Sequence, residues 1–308
     1  MTVLYKSDPE RGRRWQTLFA EQAPDLSFHI WPDVGDPNDV RYLVAWQPPP
    51  DFRGTFPNLQ VIFSVGAGID QFDLTQIPAS IAVVRMVEPG IRAAVIEYVV
   101  FATLALHRHV LNYVEAQRAA RWAPINLVDA AQRRVGVMGL GEMGRAALRH
   151  LKAFGFPLYG WSRSPHIIDH VTCFAGGEAL PEFLKNCDIL ICLLPLTAHT
   201  EGILSKTVFD ALPPGASLIN VGRGKHVHDG DLLVALASGQ LSGAVLDVFD
   251  NEPLPADHPF WHHPRIMMTP HIASMTRSES GGQVLLENIR RHLAGQPMVG
   301  LVRHDLGY

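Results

Sequence analysis

The sequence predicts an α/β fold built from two parallel-sheet domains. The chain has 308 residues, of which 47% are hydrophobic. A chain of this length is too long for one ordinary core, so two domains are expected. Short apolar runs alternate with helical segments along the chain, as in the β–α units of parallel sheets. The 26 glycines and 23 prolines are scattered, which suits a fold with many short connections.

The first part of the chain contains three predicted strands and two predicted helices. Strands are expected at Val3–Tyr5, at Tyr42–Trp46 and at Leu59–Ser64. Arg11–Glu21 has the periodicity of a helix. From Ala93 to Ala120 there are few breaking residues, so the pattern predicts one long helix.

A second β–α series begins at Val135–Met138, whose four residues form a continuous apolar run. Such a run is typical of a strand covered on both faces of a parallel sheet. Its helix is predicted from Glu142 to Phe154, with later helices at Asp231–Ala237 and Thr276–Leu293. The remaining strands of this series are predicted at Leu158–Trp161, Ile189–Leu194, Ser217–Val221, Gly243–Val248 and Ile266–Met268.

Composition excludes several classes of protein. The formal net charge of -4 gives no electrostatic reason to expect nucleic acid or an anionic membrane as a partner. The N-terminus has no apolar signal region, and the apolar stretch Ala93–Leu106 contains Glu97 and is too short to cross a bilayer. Three unpaired cysteines suggest free thiols in a reducing compartment. We therefore expect a cytoplasmic protein.

A glycine motif follows the first strand of the second series. Residues 139–144 read Gly139–Leu140–Gly141–Glu142–Met143–Gly144, which is G-x-G-x-x-G between a strand and a helix. Gly139 permits a tight turn, Gly141 lets the backbone approach a pyrophosphate, and Gly144 lets the helix pack closely. The helix N-terminus offers free N–H groups to phosphates. The motif predicts a dinucleotide site, although a glycine-rich turn without a ligand would read the same.

The end of the next strand indicates which dinucleotide binds. NAD enzymes usually have Asp or Glu about 20 residues after the motif, bonded to the ribose hydroxyl. Here the segment contains Ser162, Arg163 and Ser164 and no acid. A guanidinium between two hydroxyls suits a 2′-phosphate. The segment predicts NADPH, with NADH possible but weaker, unless Arg163 is only an exposed loop residue.

Three ionisable residues follow predicted strands of the second series: Arg223, Glu252 and His271. Ligands bind at the carboxyl ends of strands in such sheets, so the three side chains are expected to converge. Each alone could be structural, as an ion-pair partner, a turn carboxylate or a strand-end histidine. Together they predict a catalytic site.

The chain resembles the D-2-hydroxyacid dehydrogenases, and within them the glyoxylate/hydroxypyruvate reductase A subgroup. The resemblance covers most of the chain and depends on the order and spacing of several motifs. Besides those above, they are residues 45–49 (AWQPP), 65–70 (VGAGID), 97–98 (EY), 193–204 (LLPLTAHTEGIL), 220–224 (NVGRG), 243–255 (GAVLDVFDNEPLP) and 269–274 (TPHIAS).

The resemblance implies a role for each catalytic residue. Arg223 would hold the substrate carboxylate and polarise the keto oxygen. His271 would be the general acid and contact the substrate, and Glu252 would fix its tautomer and favour its protonated form. The backbone of Val65, Gly66, Ala67 and Gly68 would bind the substrate carboxylate, near Trp46. Further cofactor contacts are implied at Leu194, Pro195, Val221, Gly222 and Asp247.

The resemblance also implies the domain plan. A discontinuous substrate domain would comprise residues 1–97 and 275–308, and a Rossmann-like cofactor domain residues 98–274. Both would be parallel-sheet domains of the Rossmann or flavodoxin kind, with an active-site cleft between them. The region of the long helix would help to form a homodimer.

The substrate is expected to be a small 2-keto acid, with glyoxylate and hydroxypyruvate preferred. Trp46 and Trp122 would restrict the pocket to short acids, or else they pack in the core or an interface. Two other functions stay open, a family member acting on a longer 2-keto acid and a dinucleotide-sensing protein without turnover. The histidine pairs 226/228 and 262/263 have no third ligand at metal spacing, so no metal is expected, and we interpret them as surface or loop residues.

Overall fold

The structure, a computed structural model, describes residues 1–274 and 278–302. Within these ranges it has twelve strands and nine α-helices. The strands are β1 Thr2–Lys6, β2 Ser27–Ile30, β3 Val40–Ala45, β4 Val61–Ser64, β5 Ala82–Val84, β6 Val135–Met138, β7 Leu158–Ser162, β8 Val171–Ala175, β9 Ile189–Cys192, β10 Ala216–Asn220, β11 Leu241–Leu246 and β12 Ile266–Met268. The helices are α1 Pro9–Gln22, α2 Phe52–Thr55, α3 Pro89–His107, α4 Val110–Arg118, α5 Glu142–Leu151, α6 Leu180–Leu184, α7 Lys206–Ala211, α8 Asp229–Ser238 and α9 Ser278–Leu293.

The chain divides into two compact units. One contains Met1–Ile91 and the chain from Ser274 onwards, and the other contains Arg92–Ala273. Each unit has one sheet, and every strand pair in both sheets is parallel. The predicted α/β class with two parallel sheets is therefore confirmed. The assignment of residues 1–97 and 275–308 to substrate and 98–274 to cofactor stays a prediction.

The sheet of the first unit has the strand order β2-β1-β3-β4-β5, which is the flavodoxin-like order. Its central strands are buried at all but one position in β1 and one in β3, because helices cover a parallel sheet on both faces. Helix α9 packs on α1, and a Cβ placed on Gly282 would lie only 2.9 Å from the Trp15 ring. Gly282 thus lets the last helix approach the first one closely.

The sheet of the second unit has the order β12-β11-β10-β9-β6-β7-β8. Numbered within the unit, this is the doubly wound Rossmann order with a seventh strand added. The strand order reverses between β6 and β9, and in such folds ligands bind outside the carboxyl ends of strands at this switch point. Strands β6, β9 and β10 are wholly buried, so their carboxyl ends form a rigid base for the loops that follow.

The predicted long helix from Ala93 to Ala120 is wrong in one respect. The structure has two helices, α3 and α4, interrupted at His109, whose backbone is left-handed with φ 57°. A non-glycine residue in this conformation ends the regular hydrogen-bond ladder. The last helix was predicted to begin at Thr276, which lies outside the described residues.

Helix α3 is longer than the apolar run seen in the sequence. With 19 residues, the helix is long and apolar enough to cross a membrane. However, half of its apolar 18-residue segment is buried within the protein. A buried core helix of a soluble protein passes the same test, so one such helix is weak evidence for a membrane span.

Candidate active site

The glycine motif forms a tight turn between β6 and α5. Gly139 has φ 103°, and a Cβ there would lie 2.7 Å from the Leu193 carbonyl oxygen. A Cβ on Gly144 would lie 1.9 Å from the Gly139 carbonyl oxygen. Both glycines are therefore required by packing within the unit.

Gly141 differs from the other two, because a Cβ placed there would meet no atom within 4 Å. The space beside Gly141 lies at the N-terminus of α5, where the first N–H groups of a helix have no partner within it. Open space at this glycine and oriented donors fit a pyrophosphate group. Leu140 is buried and Met143 packs against the core, so a ligand would meet their backbone rather than their side chains.

The turn after β7 carries the predicted phosphate site. Arg163 and Ser164 are exposed there. Ser162 is buried, and its hydroxyl donates to the Ser164 carbonyl oxygen at 2.8 Å, so this side chain shapes the turn. Sequence reasoning missed Arg145 on α5. Its Nε donates to the Leu140 carbonyl oxygen at 2.9 Å and its Nη2 donates to His166 Nδ1 at 3.0 Å, which ties the glycine turn to the segment after β7.

The loop after β10 holds Arg223. The Nη1 of Arg223 donates to the Gly222 carbonyl oxygen at 2.6 Å. The backbone of Arg223 is fixed on both sides, since its N–H donates to His226 Nδ1 at 3.0 Å and its carbonyl oxygen accepts from Asn220 Nδ2 at 2.9 Å. His226 lies in the loop after β10, as expected, but interpreting it as a surface histidine was wrong, because its side chain is fully buried.

The other histidines considered in the sequence do lie outside the core. His228 is exposed, and its Nδ1 lies 3.5 Å from Asp231 Oδ2. His262 is exposed as well, and His263 Nδ1 accepts the N–H of Arg265 at 3.2 Å. In the described part of the chain no group of three His, Cys, Asp or Glu side chains could hold a metal ion.

Glu252 and His271 form a hydrogen-bonded pair. Glu252 follows β11 and His271 follows β12, and these strands are neighbours, with β10 next to β11. The distance from His271 Nδ1 to Glu252 Oε2 is 2.7 Å, and Glu252 Oε1 accepts the N–H of Phe249 at 2.9 Å. Because a carboxylate accepts, His271 carries a proton on Nδ1.

The charge of Glu252 is maintained by these contacts. Burial acts to raise the pKa of the Glu252 carboxyl, but the hydrogen bonds from His271 and Phe249 and the positive charge of Arg223 outweigh burial, and the pKa is lowered. Because Nδ1 is bonded to the carboxylate, a proton exchange between His271 and a ligand would take place at Nε2. The pair has the geometry of a general acid and its orienting carboxylate.

The loop that carries His271 is strained and held by Asp247. His271 has φ 53°, a conformation that costs a non-glycine residue about 1–3 kcal/mol. Its N–H donates to the Asp247 carbonyl oxygen at 2.8 Å. The Asp247 carboxylate accepts from the N–H groups of Ile272 and Ala273, both at 2.9 Å, and from Thr269 Oγ1 at 2.6 Å. Asp247 thus fixes the loop that carries His271.

Tyr98 extends this chain of hydrogen bonds. Thr269 Oγ1 donates to Asp247, so it accepts from the Tyr98 hydroxyl, at 2.5 Å. Burial raises the pKa of Tyr98 to about 12, and burial also raises the pKa of the Asp247 carboxyl although its hydrogen bonds oppose the change. The sequence offers only the Glu97–Tyr98 motif as a signal for this contact.

The predicted substrate loop of the first unit follows β4. The Trp46 ring lies over Gly66, where a Cβ would be 3.1 Å from Trp46 Cζ3. The N–H of Val65 donates to the Ala45 carbonyl oxygen at 3.2 Å, and the N–H of Gly66 donates to Ser64 Oγ at 3.1 Å. Since two N–H groups are used inside the unit, a carboxylate nest here would depend on the other two, those of Ala67 and Gly68.

Comparisons with known proteins identify the family. The sequence profile described as "D-isomer specific 2-hydroxyacid dehydrogenase, NAD binding domain" matches residues 100–273. The chain belongs to this family. It is 36% identical to glyoxylate/hydroxypyruvate reductase A of Yersinia enterocolitica, with 100% of both chains covered. The predicted family and the expected dinucleotide-dependent oxidoreductase class are therefore confirmed.

Solved structures of family members agree with both sheets. A D-isomer specific 2-hydroxyacid dehydrogenase from Xanthobacter autotrophicus Py2, in complex with NADPH and MES, has a TM-score of 0.93 and 37% identity, covering 100% of this chain and 99% of that one. An NADPH-dependent glyoxylate/hydroxypyruvate reductase from Sinorhizobium meliloti, in complex with NADP and sulfate, has a TM-score of 0.92 and 32% identity, with coverage of 100% and 99%.

Proposed function

We propose that this protein is an NADPH-dependent reductase of short 2-keto acids, which converts glyoxylate to glycolate and hydroxypyruvate to D-glycerate. The observation that carries the proposal is the Glu252–His271 pair, at 2.7 Å, in the loops after β11 and β12, the two strands that lie beyond β10 in the sheet. The loop after β10 holds Arg223. The relatives named glyoxylate/hydroxypyruvate reductase A and the reductase from Sinorhizobium meliloti support the choice of acids. We expect a soluble, cytoplasmic enzyme.

The proposed mechanism needs one hydride and one proton. NADPH, when bound, supplies the hydride to the keto carbon. Arg223 binds the carboxylate and draws electron density from the keto oxygen, and His271 donates the proton on Nε2 to that oxygen. Glu252 keeps the imidazole in the required orientation and stabilises its positive form before transfer. The products are the 2-hydroxy acid, NADP⁺ and a neutral His271.

The residues proposed to hold NADPH are those at the carboxyl ends of β6, β7, β9, β10 and β11. The turn Gly139–Gly144 with α5 would bind the pyrophosphate, and Arg163 with Ser164 would bind the 2′-phosphate. The backbone at Leu194–Pro195 and at Val221–Gly222, together with Asp247, would contact the nicotinamide side. In the first unit, the N–H groups of Ala67 and Gly68 would bind a substrate carboxylate.

A panel of 2-keto acids with NADPH tests the proposal. Oxidation of NADPH is followed at 340 nm with glyoxylate, hydroxypyruvate, pyruvate and phenylpyruvate. We expect kcat/KM to be highest for glyoxylate and hydroxypyruvate. Preference for phenylpyruvate would indicate a reductase of longer acids, and tight NADPH binding without turnover of any acid would indicate a dinucleotide sensor.

We also propose that the protein is a homodimer through α4 and the segment after it. This surface exposes large apolar side chains, and Trp122 is 99% exposed. A cavity of about 540 Å³ lies beside it, lined by residues of α4 and the following segment, including Tyr113 and Pro124. Apolar patches of this kind are typical of protein interfaces.

Light scattering after gel filtration should give twice the 34.0 kDa chain mass, and Trp122→Asp should give a monomer. A monomeric wild-type protein at micromolar concentration would contradict this proposal.

A further inference from the structure

His226 is a buried histidine that contacts two loops of the second unit. Its Nδ1 accepts the N–H of Arg223 at 3.0 Å, in the loop after β10. Its Nε2 lies 3.3 Å from the carbonyl oxygen of Pro195, in the loop after β9. Both loops follow neighbouring strands at the carboxyl edge of the sheet.

These contacts determine the tautomer of the imidazole. A backbone N–H is always a donor, so Nδ1 must be unprotonated where it faces Arg223. The ring proton is then on Nε2 and donates to the Pro195 carbonyl oxygen. A second proton, on Nδ1, would place an N–H of the ring against the N–H of Arg223, and neither of these donors could accept.

The packing around the ring depends on a glycine. A Cβ placed on Gly222 would lie 2.8 Å from His226 Nδ1 and 3.1 Å from the Leu194 carbonyl oxygen. The absence of a side chain at Gly222 therefore lets the imidazole reach the N–H of Arg223. Asn220 fixes the opposite side of the same residue by donating to the Arg223 carbonyl oxygen at 2.9 Å.

We propose that His226 is a positioning residue that acts through Arg223 on one side and through Pro195 on the other. The inference rests on the proposed function, in which Arg223 binds the acid and the Pro195 loop contacts the cofactor. Since the two ring nitrogens serve different loops, the two effects can be separated by substitution.

The test uses two amides that each keep one of the two contacts. In His226→Asn the amide oxygen occupies the position of Nδ1 and can accept from Arg223. In His226→Gln the longer side chain reaches toward the Nε2 position and can donate to Pro195. His226→Leu keeps neither contact, and His107→Leu, on α3, is the control for the loss of a buried histidine.

The expected results differ between the two amides. A buried N–H left without an acceptor costs enough to change an equilibrium about tenfold, so His226→Gln should raise the KM for glyoxylate about tenfold and leave the NADPH Kd within about twofold. His226→Asn should keep that KM within about twofold and raise the NADPH Kd about threefold, because the contact to Pro195 is the longer one. His226→Leu should show both changes, and His107→Leu neither.

Equal effects of His226→Asn and His226→Gln would overturn the proposal. If His226 were needed only for stability, the two variants would change the KM for glyoxylate and the NADPH Kd alike. Arg223→Ala distinguishes this failure from failure of the proposed function. If Arg223→Ala leaves the KM for glyoxylate unchanged, the proposed function is wrong. If Arg223→Ala raises it and His226→Gln does not, only the inference about His226 is wrong.

A measurement on the wild-type protein covers the case in which the variants do not fold. Long-range ¹H–¹⁵N spectra of the assigned histidine rings report the tautomer directly. We expect His226 to carry one proton, on Nε2, with Nδ1 as a hydrogen-bond acceptor. A proton on Nδ1 would overturn the proposal.

Discussion

Replacing Glu252 by glutamine tests the carboxylate–imidazole pair with a small change in shape. The carboxylate accepts two hydrogen bonds at once, from His271 Nδ1 at 2.7 Å and from the N–H of Phe249 at 2.9 Å. An amide has one oxygen, so its NH₂ group must face one of these donors. A hydrogen bond to a charged group contributes about 1.5–3 kcal/mol. The Glu252 side chain is 34% exposed, and we therefore expect a loss of about 1.5–2 kcal/mol, or roughly 10- to 30-fold in kcat/KM.

The assay is the initial rate of NADPH oxidation with glyoxylate from pH 5 to 9. The pKa of Glu252 is lowered from its usual value of 4.5, so its carboxylate stays charged above that value and loses its charge only as the pH falls through the folded pKa. The wild-type rate should therefore show no loss due to Glu252 in this range. Glu178→Gln, at an exposed glutamate, is the control. A Glu252→Gln enzyme within twofold of wild type would refute the role of the pair.

Three further predictions follow from the same geometry. Gly141→Ala should keep the wild-type melting temperature and weaken NADPH binding at least about tenfold in a fluorescence titration. Gly144→Ala should instead lower the melting temperature, because only its Cβ would meet backbone, at 1.9 Å. The reverse pattern would contradict the proposed pyrophosphate site. Arg163→Ala should raise the KM for NADPH about tenfold or more and leave the KM for NADH unchanged, and equal use of both cofactors by wild type would contradict the 2′-phosphate site. Tyr98→Phe removes the hydrogen bond to Thr269 and should lower the free energy of unfolding in urea by about 1 kcal/mol, and unchanged stability would show that the bond contributes nothing.

The central strands were predictable because their burial on both faces of the sheet makes their sequences apolar. Val135–Met138 is apolar at every position since helices cover both faces of the sheet, and the predicted bounds agree with β6. Strands β2, β5 and β8 escaped prediction, and all three lie at sheet edges. β2 and β8 are only partly buried and contain polar residues, so they lack a continuous apolar run. β5 is apolar but has only three residues, which is too short to stand out as a strand.

The site was predictable where a motif has a local cause. The glycines at 139 and 144 are required by close backbone contacts, and each can be identified from the sequence. The chain from Tyr98 through Thr269 to Asp247 could not be, because its members are separated by up to 171 residues and meet only after folding. His226 was assigned to the surface because histidine is a polar residue. Its burial depends on the space left by the missing side chain of Gly222, which the sequence alone does not show.

The break at His109 had no signal in the sequence. The segment contains no glycine or proline between Gly90 and Pro124, and its residues favour a continuous helix. The left-handed conformation of His109 arises from the fold rather than from local preference. Local rules therefore predicted one helix where packing imposed two.

The most direct test of the central claim compares wild type with His271→Ala in two measurements on the same preparation. NADPH binding is measured by fluorescence titration, and turnover is measured as D-glycerate formed from hydroxypyruvate. We expect the NADPH Kd to stay within about twofold while kcat falls at least about 100-fold, the usual contribution of a general acid. Unaltered formation of D-glycerate by His271→Ala would contradict the account.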